Sequence, residues 1–147
     1  MATLLTDLKA ALTNPKDRLG GAATRGRVNH TTATYSVAAA MADTDTIEIM
    51  DLPVGAIVLP EYSSVITDGV GSSTCTLNIG DAGDADRYAT ALDMTSAGKV
   101  DFDAFPIADY EVVEANKTLV ATVSLTGAAA GTETLKFSIG WKHGNPG

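Results

Sequence analysis

Residues 118–141, TLVATVSLTGAAAGTETLKFSIGW, decide the fold class because they contain two runs in which apolar and polar side chains alternate. The apolar positions of the two runs are Leu119, Ala121, Val123 and Leu125, then Leu135, Phe137, Ile139 and Trp141. A period of two predicts strands with one buried face. The Gly- and Ala-rich residues 127–131 lie between the runs, so we predict that the two strands form an antiparallel hairpin.

Shorter runs upstream have the same β character and are separated by Gly, Pro, Asp and Asn. The sequence predicts strands at residues 31–40, 46–50, 56–66 and 74–79, and a short strand or helical turn at 88–92 within an otherwise irregular acidic stretch, 80–103. Pro60 interrupts the third run and indicates an edge strand or a bulge.

About seven or eight strands at this spacing predict an all-β fold, an antiparallel β-sandwich with a jelly-roll-like strand order. The abundance of Thr, Ala, Gly and Val favours strands and turns over helices. A jelly-roll order is favoured over an immunoglobulin-like order because the disulfide and tryptophan spacing of antibody domains is absent: the chain has one Cys and one Trp.

Charge divides the chain into two parts. Residues 1–27 carry five basic and two acidic residues, a net charge of +3, whereas residues 28–147 carry five basic and sixteen acidic residues, a net charge of −11. We therefore predict two regions, a basic N-terminal arm at 1–29 and a sandwich domain at 30–147. An acidic domain repels phosphate backbones, which argues against nucleic acid as the main partner.

The arm itself is predicted to begin with a short amphipathic helix. Leucines recur every fourth residue from Leu4 to Leu12, Thr6 can cap the helix, and the Asn-Pro pair at 14–15 can end it. Residues 17–29, rich in Gly and basic residues, then predict an extended segment. From this chemistry we predict that five arm residues bind a partner surface: Leu4, Leu8, Arg18, Arg25 and Arg27.

The sequence predicts no enzyme and no cofactor. His30 and His143 are the only histidines, and both lie near the ends of the predicted sandwich. Cys75 is on the apolar face of a predicted strand, where a buried, unreactive thiol is expected. Nucleotide-binding and zinc-binding motifs are absent.

No signal peptide or membrane span is evident, so we expect a soluble protein made in a cytoplasm that does not enter a membrane.

Residues 80–87, GDAGDADR, carry three carboxylates on a glycine-containing backbone. Asp81, Asp84 and Asp86 are weak candidates for a calcium site, because hard cations need several oxygen ligands. The alternative is an acidic turn in which Asp side chains accept backbone N–H groups and Arg87 offsets part of the charge. We favour the turn, and therefore predict no bound metal.

The sequence resembles small structural proteins of tailed-bacteriophage virions. The resemblance rests on residues 73–98, where a strand ending in Ile-Gly-Asp continues as an acidic D-x-D-R-Y segment, and on the two runs at 118–144. Among such proteins it is most similar to the capsid decoration or cement proteins, in size, small-residue content and acidic character. The resemblance covers about half of the chain.

The resemblance implies a homotrimer on the exterior of the virion capsid that stabilises the shell by clamping neighbouring major capsid subunits. Such a protein is made in the host cytoplasm and has the major capsid protein as its partner. The alternative interpretation is a carbohydrate- or receptor-binding β-sandwich module of a phage tail or head fibre. A head–tail connector or a tail subunit is a third structural role that the sequence hardly separates from decoration.

Overall fold

The computed structural model describes residues 3–5, 28–102 and 117–143, which form strands and connecting loops. The nine strands of these residues are β1 (Thr3–Leu5), β2 (Val28–Ser36), β3 (Thr46–Leu52), β4 (Ala56–Thr67), β5 (Thr74–Asp81), β6 (Asp84–Asp93), β7 (Gly98–Asp101), β8 (Lys117–Thr126) and β9 (Thr134–His143). No helix occurs in this part of the chain, so none there could cross a membrane.

The predicted N-terminal helix falls mainly on residues outside the described ranges. Leu4, the first leucine of the predicted apolar stripe, lies in strand β1 instead of a helix. β1 runs parallel to β3, with Leu4 opposite Ile47, and Leu4 packs against the apolar core. The first residues of the predicted arm therefore contact the β domain in this structure.

The strands form two sheets, with the orders β1-β3-β8-β5-β6 and β2-β9-β4-β7. All neighbouring pairs except β1 and β3 are antiparallel. One buried apolar cluster takes side chains from both sheets, for example Leu77 and Leu119 from one sheet and Phe137 and Trp141 from the other. Each sheet therefore buries one face against this shared core, as the all-β prediction requires.

The alternation predicted for β8 and β9 is confirmed, but the predicted hairpin between them is wrong. The apolar positions of both strands are buried, from Leu119 to Leu125 in β8 and from Leu135 to Trp141 in β9. However, β8 pairs with β3 and β5, whereas β9 pairs with β2 and β4 in the other sheet. The connection at residues 127–133 crosses between the sheets, so the apolar faces of β8 and β9 meet across the shared core.

Much of the acidic stretch predicted to be irregular, 80–103, forms the strands β6 and β7. β6 spans ten residues, Asp84–Asp93, and pairs with β5 as an antiparallel hairpin whose turn joins Asp81 to Asp84. β6 lies at the edge of its sheet, so its charged side chains face solvent and obscure the apolar alternation that identifies a half-buried strand. Its buried residues are Tyr88, Ala89 and Leu92, and they lie in the segment for which a short strand or helical turn was predicted; the structure has the strand.

Pro60 predicted an edge strand or a bulge, and the structure has the bulge. β4 is a central strand between β9 and β7, and its register against β9 shifts between Leu59 and Ser64. Leu59 is opposite Gly140 and Ser64 is opposite Ser138, so residues 60–63 bulge out of the sheet. Proline has no N–H to donate to a neighbouring strand, which explains why the ladder is interrupted there.

A single carboxylate, that of Glu133, holds the connection between β8 and β9. Its Oε1 accepts the backbone N–H groups of Gly71 (2.7 Å) and Ala130 (3.0 Å), and its Oε2 accepts those of Gly131 (2.8 Å) and Thr132 (3.0 Å). Gly71 belongs to the connection between β4 and β5, so Glu133 joins two loops that link the sheets. Burial alone raises the pKa of Glu133, but the backbone N–H groups outweigh it and lower the pKa to about 2.

We predict that Glu133→Gln lowers the free energy of unfolding by about 1–3 kcal/mol at neutral pH, because the amide has no negative charge and its NH2 group faces two of the backbone N–H donors that the carboxylate accepts. The folded-state pKa of about 2 lies below the ordinary value of 4.5, so the charge stabilises the fold fully above pH 4.5. That stabilisation is lost as the pH falls from 4.5 towards 2. Urea unfolding of both proteins across this window should show the difference between them shrinking.

The matched control is Glu61→Gln, which removes the same charge from an exposed position in the β4 bulge. It should change stability by less than about 0.5 kcal/mol at every pH. A constant difference between the wild type and Glu133→Gln down to pH 2 would contradict the role of the Glu133 charge.

Candidate functional site

The carboxylate of Asp81 lies at the centre of the acidic turn between β5 and β6. Its side chain is fully buried, and Oδ1 accepts the backbone N–H groups of Gly83 (2.8 Å) and Asp84 (3.2 Å). Arg87 donates from Nε to Oδ2 at 3.0 Å, and the Lys117 ammonium lies 3.6 Å from Oδ1. Both carboxylate oxygens of Asp81 are therefore used within the protein.

The other two candidate calcium ligands do not converge with Asp81. Asp84 and Asp86 are exposed, and Asp84 accepts the backbone N–H of Asp86 at 3.4 Å. Among the described residues, no group of three or more His, Cys, Asp or Glu side chains is arranged to hold a metal ion. The geometry is that of the acidic turn, in which the backbone and the basic side chains of Arg87 and Lys117 satisfy the central carboxylate.

We predict that Asp81→Asn destabilises the protein by about 2 kcal/mol, because the Arg87 and Lys117 charges lose their buried counter-charge. Asp84→Asn, an equal change of charge at an exposed position three residues away, should cost less than about 0.5 kcal/mol. Urea unfolding at neutral pH measures both values. Equal effects of the two substitutions would contradict the structural role of Asp81.

The same two variants, melted with calcium and with a chelator, test the ion directly. Melting temperatures that coincide within about 2 °C are expected, since even 1 kcal/mol of ion binding would shift a domain of this size by about 4 °C. A larger rise with calcium in the wild type that disappears in Asp84→Asn would identify an ion site that the turn geometry does not predict.

His30 lies in β2 and bridges two other strands. Its Nδ1 is 3.0 Å from the Ser138 Oγ, and its Nε2 is 3.0 Å from the Tyr62 backbone oxygen. The carbonyl oxygen can only accept, so Nε2 carries the hydrogen and Nδ1 accepts from the hydroxyl. This serine–histidine contact lies on an exposed sheet face, and the second ring nitrogen holds the backbone of the β4 bulge. These two hydrogen bonds of His30 therefore fix the position of the β4 bulge against β2 and β9.

The β4 bulge lies on the outer face of the sheet formed by β2, β9, β4 and β7. A Cβ at Gly140 would lie 2.6 Å from the Cβ of Tyr62, so only glycine leaves room for the bulge at that position. Ser63 Oγ accepts the Gly140 N–H at 3.0 Å and donates to the Leu59 carbonyl at 2.7 Å. These bonds hold the bulge on both sides of Tyr62.

Tyr62 is the most exposed large apolar side chain among the described residues, with 57% of its surface accessible. A tyrosine on a fixed backbone loses little entropy on binding, and such residues are enriched at the centres of protein interfaces. The sequence analysis did not select Tyr62. The available signal was the polar segment Glu61–Ser64 inside an otherwise apolar strand, next to the proline.

The other two residues considered as possible catalytic groups, Cys75 and His143, pack within the fold. Cys75 is buried, as predicted, and burial together with the nearby charges of Asp93 and Glu133 raises the pKa of its thiol to about 11. His143 ends β9, and its ring meets the Trp141 ring edge-on at 5.3 Å. Cys75 lies in β5, in the other sheet from the pair formed by His30 and Ser138, and His143 lies five residues beyond Ser138 at the end of β9.

Most of the predicted partner-binding residues lie outside the described ranges. Leu4 lies in β1. The residues outside the described ranges are Leu8, Arg18, Arg25 and Arg27. Their role in binding therefore stays a prediction.

Comparison with known proteins gives matches at the level of structure. No protein-family model matches the sequence, and no curated protein is similar to it. The fold is similar to a chain of the capsid of Ralstonia phage GP4, with a TM-score of 0.72, 19% identity, and coverage of 98% of this chain and 99% of that one. It is also similar to a chain of the cyanophage Pam1 capsid asymmetric unit, with a TM-score of 0.54, 23% identity, and coverage of 86% and 91%.

These matches cover at least 86% of this chain, so the likeness is not limited to one hairpin. The resemblance to phage capsid proteins expected from the sequence is confirmed. At identities of 19% and 23%, what is shared is the fold.

Proposed function

We propose that this protein is a non-enzymatic structural component of a bacteriophage capsid. The observation that carries the proposal is the full-length likeness to a chain of the Ralstonia phage GP4 capsid, in which both chains are covered almost completely. The polar clusters of the described residues, around Asp81, Glu133 and His30, each stabilise a turn, loop or bulge.

Within that role, we propose capsid decoration. The protein would sit on the exterior of the shell as a homotrimer and clamp neighbouring major capsid subunits, after synthesis in the host cytoplasm. The division of charge supports this: an arm of net charge +3 can reach a neighbouring acidic surface while a domain of net charge −11 faces solvent. Many copies with modest contacts add up to a large stabilisation of the shell.

The strand order supports the jelly-roll prediction. Without β1, the sheets have the orders β2-β9-β4-β7 and β3-β8-β5-β6. Eight strands in this interleaved order form two Greek keys, the arrangement of a jelly roll. We propose that the domain is a jelly-roll β-sandwich to which β1 is added at one edge.

The alternative, a carbohydrate- or receptor-binding module of a tail or head fibre, has less support. Sugar sites generally combine aromatic side chains with polar groups in a concave pocket. The single tryptophan, Trp141, is fully buried, and the Asp81 carboxylate is used by Arg87 and by the turn. Tyr62 stands on a bulge, a convex position that fits a protein partner better than a small ligand.

Shell binding tests the role of the arm. Replacing Arg18, Arg25 and Arg27 with Glu should weaken binding to undecorated shells about tenfold to a hundredfold, because each exposed ion pair contributes about 0.5–1 kcal/mol. Since the arm is proposed to serve attachment and not folding, the melting curve of the free protein should not change. Co-sedimentation of protein with shells at increasing protein concentration gives the affinity.

The matched control reverses three lysines of the domain, Lys99, Lys136 and Lys142, and so changes the net charge by the same amount. The domain triple variant should retain more binding than the arm variant. An equal loss in both variants would mean that binding responds to net charge alone, and no loss in the arm variant would remove the arm from the interface.

Tyr62→Ala tests the β4 bulge as a contact of the domain with the shell. If the ring is a central anchor, its loss should weaken shell binding by about 2 kcal/mol, or roughly thirtyfold. Tyr62→Phe should bind nearly as the wild type does, since it keeps the ring. Val54→Ala, at an equally exposed apolar position, is the control for general loss of apolar surface. Wild-type affinity in Tyr62→Ala would exclude this surface.

A further inference from the structure

Strand β1 is separable from the rest of the fold. Among the described residues it pairs with β3 alone, over the three positions Thr3 opposite Thr46, Leu4 opposite Ile47, and Leu5 opposite Glu48. The other eight strands form two complete four-stranded sheets without it. It is also the only parallel neighbour in the described part of either sheet. β1 therefore occupies an edge of β3 that is available to any strand of the right sequence.

Pairing of a strand with this edge of β3 stabilises the fold. Ile47 is fully buried in the core, and Leu4 lies against the core beside it. Without β1, the outer edge of β3 would present unpaired backbone groups, which in a soluble protein invite pairing with another chain. The contact needs only a short extended segment that carries a leucine at its centre.

The chain between β1 and the next strand is far longer than a local connection needs. Residues 6–27, a stretch of 22 residues, join Leu5 to Val28. Connections in compact domains usually have about 4–6 residues, so 22 residues are many more than are needed to join two strands of one domain. Extended, 22 residues reach about 75 Å, whereas a domain of about 120 residues is only about 35 Å across.

We infer that β1 of one copy adds to β3 of a neighbouring copy, so that the oligomer is linked by exchanged N-terminal strands. The inference rests on the proposed homo-oligomer. The Leu4 contact and the backbone pairing are the same whether β1 comes from the same chain or from a neighbour, so exchange sacrifices no contact. In a ring of copies, each chain then donates one strand and accepts one, and residues 6–27 cross each boundary between subunits.

A cysteine pair reports which chain supplies β1. Thr3 and Thr46 are direct partners in the register of the two strands, so Thr3→Cys with Thr46→Cys places two thiols within reach of a disulfide. The native Cys75 is fully buried and does not compete. The full-length double variant is purified, its native mass is measured by light scattering, and it is then oxidised and run on a denaturing gel without reductant.

Exchange predicts that most of the linked protein runs as covalent dimers and trimers, which collapse to single chains on reduction. Each single-cysteine variant should give no trimer, because a chain with one accessible thiol can at most be joined to one other chain. Linked protein that runs as a single chain would overturn the inference, since β1 then lies on its own β3. Absence of any disulfide would overturn it too, because β1 then does not lie beside β3.

The same samples are sedimented with undecorated shells, which tests strand exchange and the proposed capsid function separately. Shell binding with only single-chain crosslinks would overturn strand exchange and leave the proposed capsid function standing. Covalent trimers that do not bind shells would support exchange and contradict the proposed function.

Discussion

The burial of two apolar sheet faces against each other is the interaction on which the rest of this structure depends. β8 and β9 are central strands of different sheets, and their inner side chains are almost completely buried. Fully burying one large apolar side chain contributes about 1.5–3 kcal/mol, so these two strands supply much of the favourable free energy of folding. Every connection between the sheets must then cross an end of the core, where the chain has few neighbours to hold it.

The polar clusters of the protein meet that requirement. Glu133 fixes the crossing from β8 to β9, and Asp81 fixes the turn from β5 to β6. His30 holds the β4 bulge against the sheet face. A buried carboxylate is costly unless several donors surround it, and these two carboxylates accept backbone N–H groups, with basic side chains added around Asp81. Groups that resemble candidate sites in the sequence thus stabilise the fold.

The features proposed to bind a partner lie at the exposed surface and at the edge of a sheet. The two four-stranded sheets are complete without β1, and Tyr62 is exposed on the bulge of β4. The basic residues of the predicted arm follow β1 in the sequence. If these features bind the shell as proposed, many copies can stabilise it together, because each contact can be weak while the sum is large. The similarity of the whole chain to chains of phage capsids agrees with such a role.

The sequence by itself determined which faces of β8 and β9 are buried, because the alternation of side chains along a strand is a local property. It also located the β4 bulge, since a proline lacks the hydrogen-bond donor wherever the chain goes. The strand character of residues 84–93 was largely hidden, because an edge strand with charged side chains lacks the apolar alternation of a half-buried one.

The partners of each strand were decided by the tertiary structure. A Gly- and Ala-rich connection allows either a hairpin or a crossing between sheets, and packing of the two apolar faces across one core selected the crossing. The same holds at Asp81, where the sequence allowed an ion site or a turn. Lys117, which is distant in the chain, completes the charge balance there, and only folding brings it within 3.6 Å of the carboxylate.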